Sequence, residues 1–103
     1  MGFARSRSLT VSADGASNYT APCSCRKGGV VTISGTLTGD ITLQRRGADN
    51  VWRDVTNNSG VVTTFTLVGT YTIGPNEVQA DYRLNAKQGA VSAFPFTMTI
   101  EGK

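Results

Sequence analysis

Apolar and polar residues alternate along most of this chain with the period of a half-buried strand. The closing stretch 94–100, FPFTMTI, is the clearest case. Phe94, Phe96, Met98 and Ile100 share one parity, and Pro95, which has no N–H to donate, falls on the other; it belongs at an edge or a strand start. The same reading predicts strands at 9–12, 30–37, 61–67, 70–73 and 81–86. Within 61–67, Val61, Thr63, Phe65 and Leu67 share a face. Ile41 and Leu43 open a hairpin over 41–55, ITLQRRGADNVWRDV, whose turn formers lie at 47–50 and whose return arm carries Trp52. A tryptophan there can cover much of a small core. Gly, Asn, Asp and Pro punctuate the intervals, and no segment repeats with a helical period.

These elements predict an all-β fold: an antiparallel β-sandwich of about seven short strands, with a small barrel as the other closure. The core expected from parity is Ile33, Leu43, Phe65, Tyr71, Leu84, Phe96 and Ile100. Tyr82, just inside the penultimate strand, fits either simple core burial or a hydroxyl that bonds back to the preceding corner. Residues 1–8 read as an N-terminal arm, free or docked on a neighbour, and 16–29 as irregular chain. A length of 103 residues fits one domain spanning 1–103.

Composition narrows the chemistry. With 17% charged residues the chain is not a disordered polyelectrolyte. A net charge of +3 permits an acidic or phosphate-bearing partner but is far from a polybasic signature. Histidine is absent, which removes the commonest general base and metal ligand together. No signal-peptide pattern or membrane-length apolar run is present, so the chain is expected to be soluble and made in the cytoplasm.

Cys23 and Cys25 form a C-x-C pair with no further Cys or His to complete a four-ligand metal set. On an extended strand their Cα atoms would stand roughly 6.5–7 Å apart, a poor span for a mutual disulfide. Two reduced thiols in a loop or edge strand are the plainer reading, with an intermolecular disulfide as the other. Arg45, Arg46 and Arg53 cluster at the hairpin, with Arg26 and Lys27 upstream. They form either a basic patch for a partner or a solvated face paired with Asp49 and Asp54. Asp40, Asp49, Asp54, Glu77 and Asp81 fall mostly at turns, where carboxylates serve the backbone, and serine has no evident base beside it.

Three stretches carry a resemblance: GTLTGDITLQRRGADNVWRDV at 35–55, GTYTIGPNEVQADYRLNAKQG at 69–89 and FTMTIEGK at 96–103. Together they resemble small immunoglobulin-like β-sandwich proteins of tailed bacteriophages, which serve as capsid decoration or cement proteins, head fibres, and tail or adaptor modules. The resemblance implies a virion protein made in a bacterial host; the missing histidine and four-ligand set add the expectation that it is non-enzymatic and holds neither cofactor nor metal. The resemblance also implies other virion proteins as partners, the major capsid protein first, with copies of this chain as lattice neighbours, and neither membrane nor nucleic acid. Phe3, Arg5 and Arg7 of the arm, and Arg45, Arg46 and Arg53 of the hairpin, are the expected partner contacts. A fibre module binding receptor or carbohydrate through Tyr19, Trp52 or Tyr71 is the first alternative; a small nucleic-acid-binding barrel is the second.

Overall fold

The computed structural model describes residues 6–57, 59–74 and 80–103. Every regular element in it is a strand, in the order β1 (Ser6–Val11), β2 (Cys23–Cys25), β3 (Gly29–Gly35), β4 (Ile41–Arg46), β5 (Trp52–Asp54), β6 (Thr64–Phe65), β7 (Gly69–Ile73), β8 (Ala80–Asn85) and β9 (Phe96–Gly102). All pairings are antiparallel. A four-stranded sheet runs β1-β9-β3-β7, and the second sheet runs β2-β8-β4-β5 with β6 also paired to β4.

The two inner faces close on one core. The four-stranded sheet contributes Val11, Val31, Ile33, Ile73, Phe96, Met98 and Ile100; the other contributes Cys23, Cys25, Ile41, Leu43, Phe65, Tyr82 and Leu84, all buried. Alternation explains the split: β9 reads buried, half-buried, buried along Phe96, Thr97, Met98, Thr99 and Ile100. Each side chain at the core parity leaves water, a gain of about 1.5–3 kcal/mol for a fully buried large apolar group. Six of the seven expected core residues are buried. Tyr71 is half-buried, its ring tilted against Phe65 and its hydroxyl donating to the Leu67 carbonyl.

Several elements differ from the sequence reading. Ser6, Arg7 and Ser8 are not arm: they pair with Glu101, Ile100 and Thr99 on β9. The irregular segment 16–29 contains β2, which pairs with β8 through Cys23–Tyr82 and Cys25–Ala80. The expected strand 61–67 shrinks to Thr64 and Phe65. Around it the backbone closes a loop instead: Asn57 Oδ1 accepts from the Ser59 and Val61 amides, and the Thr63 amide donates to the Val55 carbonyl. Val61 and Leu67, expected on the Phe65 face, are therefore 60% and 71% exposed.

The immunoglobulin arrangement places its first two strands side by side in one sheet. Here β1 and β2 belong to different sheets, and β9 occupies the place beside β1.

Candidate functional site

The charged hairpin is the candidate surface that follows the N-terminal arm. β4 and β5 pair through Gln44–Asp54, Arg45–Arg53 and Arg46–Trp52, as the 47–50 turn demands. Within the turn, Asn50 takes a positive φ of 63°, a conformation Asn tolerates better than most residues. Ile41 and Leu43 point to the core, so Gln44, Arg46 and Trp52 point away from it. Trp52 is thus not a core residue; it lies half-buried on the outer face. Neighbouring β8 adds Asp81, Arg83 and Asn85 to that face, because Tyr82 and Leu84 take the inner one.

These groups satisfy one another. Gln44, 7% exposed, donates from Nε2 to Asp54 Oδ1 at 2.9 Å. Its Oε1 accepts from Arg83 Nε at 2.8 Å and from Asn85 Nδ2 at 3.1 Å. Lys87 Nζ donates to Asp54 Oδ2 at 2.7 Å. The hydrogen bond from Gln44, followed by that from Lys87, holds the Asp54 carboxyl below its usual range. The Arg83 guanidinium lies between two rings, 4.1 Å from the Tyr19 centroid and 4.4 Å from that of Trp52. Burial there lowers its proton affinity. Arg46 sits 5.4 Å from the Trp52 centroid and forms an ion pair with Asp81.

The expected partner contacts fall at separate places in the fold. Phe3 and Arg5 lie outside the described residues. Arg7 is far from the hairpin in the fold, on edge strand β1 of the other sheet, where its Nε donates to the Pro22 carbonyl at 3.1 Å. Arg45 stands opposite Arg53, whereas Arg46 has the other parity and faces outward with Trp52, and two of the three are engaged. Arg46 pairs with Asp81, and Arg53 with Asp49 through two hydrogen bonds of 2.8 and 3.1 Å. Those bonds, then the Val51 amide, hold the Asp49 carboxyl down at about 2. The Asp49 pairing is the one expected; Asp54 pairs with Lys87 rather than with the hairpin arginines. Arg45 and Arg46, with Asn50 and Asp81, line a groove of about 480 Å³ beside the turn.

The structure adds Arg83 and Tyr19 to this face, neither grouped with the hairpin by sequence. The signal was available for Arg83: it shares the outward parity of β8. Tyr19 is brought to the sheet by an isolated bridge to Asn85, which no local pattern announces.

Cys23 and Cys25 are in no disulfide and lie on the inner side of edge strand β2, 0% and 1% exposed. The Cys25 thiol beside it holds Cys23 down to about 7, and the same contact together with burial pushes Cys25 up. Neither sulfur is presented to a second chain.

A different surface is apolar. Among the described residues, the exposed large apolar side chains are Tyr19, Val51, Val61, Val62, Leu67 and Val68. Four of these six fall in the short stretch 61–68, on the loops flanking β6. No charged residue occurs between Asp54 and Glu77, so this surface is neutral as well as apolar. Comparison with protein-family models, with curated proteins and with solved structures finds no match to the chain.

Proposed function

We propose that this protein is a non-enzymatic structural subunit of a tailed-phage virion, a capsid decoration or cement protein that docks on neighbouring subunits. The phage assignment comes from the resemblance over 35–55, 69–89 and 96–103. The observation that carries a docking role is the concentration of exposed Val61, Val62, Leu67 and Val68 on one uncharged stretch. Clustered apolar exposure is what a surface covered in an assembly leaves on the isolated subunit.

The finer architecture belongs to the same reading. The order β1-β9-β3-β7 against β2-β8-β4-β5 is that of a jelly roll with β6 inserted before the seventh strand. This favours a jelly roll over the immunoglobulin-like sandwich. Viral capsid and lectin domains use that architecture, although a fold alone assigns no role. The hairpin face weighs against both alternatives. Its rings already hold guanidinium groups where a sugar would stack, and its Arg46 and Lys87, like Arg53 on the other side of the hairpin, are paired with carboxylates.

Quantitative mass spectrometry of purified particles tests the proposal. A copy number comparable with that of the major capsid protein is expected. A handful of copies per particle would replace decoration with a tail, head-fibre or adaptor part, and absence from particles would end the virion reading.

A further inference from the structure

A two-sheet fold has four edges, and here they differ in charge. β1 carries Arg7, β5 is Arg53 and Asp54 with Trp52, and the three-residue β2 runs directly into Arg26 and Lys27. The fourth edge, β7, reads GTYTI and is preceded by Leu67 and Val68. It holds no charge and no proline, the devices by which exposed edges are kept from pairing. Its partner on one side is β3, through Gly29–Ile73, Val31–Tyr71 and Ile33–Gly69. Among the described residues no strand pairs with its other side, where half of the strand's N–H and C=O groups point.

We propose that β7 is a self-pairing edge, along which two copies of this chain join antiparallel about a two-fold axis. The occupant is a second copy because the edge is self-complementary. In a two-fold antiparallel pair each residue meets its own kind or a near neighbour, so any charge on the strand would face a like charge. β7 has none to repel. Centred on Tyr71, the pairing sets Thr70 opposite Thr72 of the second copy, a favourable cross-strand pair. It also sets Gly69 opposite Ile73, and Val68 opposite Gly74. Val68 and Leu67, now 51% and 71% exposed, lie at the two ends of the new seam. The four-stranded sheets of both copies become one continuous sheet. This pairing does not depend on the virion reading, since it concerns the isolated protein in solution.

Sedimentation velocity of the full chain, from low micromolar to near-millimolar concentration, tests it. The expected result is a species of twice the 10.9 kDa chain mass. Thr72→Lys, at an exposed outer-face position, puts two like charges at diagonal positions roughly 7–8 Å apart across the seam. It should weaken the dimer by about tenfold or more with an unchanged circular dichroism spectrum. Thr10→Lys on β1 should leave the dimer intact. A monomer at all concentrations, or a dimer indifferent to Thr72→Lys, overturns the proposal. Loss of association in Thr10→Lys as well would replace it with head-to-tail pairing of β7 on β1. Should Thr72→Lys unfold, Thr70→Lys gives the same comparison, because the two copies' exposed residues 70 stand at the equivalent diagonal across the seam.

Discussion

Arg83 shows how much a single outward side chain can hold together. It is clamped between Tyr19 and Trp52 and fixed by Gln44, so it ties the loop before β2 to β8 and the hairpin. Two partly exposed cation–π contacts contribute about 1–2 kcal/mol together. Arg83→Ala should lower stability by about that amount in urea titrations and shift Trp52 fluorescence toward that of a more hydrated ring. Arg83→Lys should recover only part of it, because an ammonium is a compact charge without the planar fork. Asp54 gives this network its pH dependence. Its carboxyl is held below the ordinary value of about 3.9, so the folded state favours the charged form. The stabilisation is present above that value and is lost as pH falls through the folded pKa. Asp54→Asn should therefore flatten the acid limb of a stability-versus-pH curve while costing stability at neutral pH.

At the scale of elements, strands with uninterrupted alternation were legible: β8 and β9 were placed within two residues at either end. The core position Phe96 follows from that alternation, and Phe96→Ala should cost about 3–5 kcal/mol by denaturant unfolding. Trp52 misled because its hydrophobicity was weighed ahead of its register; opposite Arg46 it can only face outward. The run 61–67 alternates as well as any strand, yet Asn57 spends its side chain closing a loop there, and a period-2 pattern is blind to that. β2 is too short to show a period at all. Residues 6–8 read as arm for a related reason: Ser6, Arg7 and Ser8 are polar because they lie on an edge strand, not because they are unpaired. Removing residues 1–8 should lower the thermal midpoint in scanning calorimetry by stripping half of β1 from β9, and should weaken loading onto undecorated particles.

For the whole molecule, charge and shape divide the surface in two. One sheet carries a face of arginines, carboxylates and rings that are largely spent on each other; the other ends in an uncharged edge flanked by exposed apolar loops. Charge composition alone pointed to the first surface, because arginines stand out in a sequence and their partners do not. The carboxylate across the face from Arg46 is thirty-five positions away in the chain. Sheet order was equally hidden, since alternation says which side a residue faces but not which strand lies beside it.

The place of β9 between β1 and β3 has a consequence for how the protein is born. Ser6 waits for Glu101, and Gly29 for Gly102, so the four-stranded sheet has no centre until residues 96–102 have been translated and have cleared the ribosome. Before then β1 and β3 each lack a shared neighbour, and the apolar faces of both sheets stay open. A nascent chain arrested with β9 still inside the exit tunnel should be digested by protease along its whole emerged length. One released by a short C-terminal spacer should become resistant in a single step, with no intermediate fragment spanning β1 to β8.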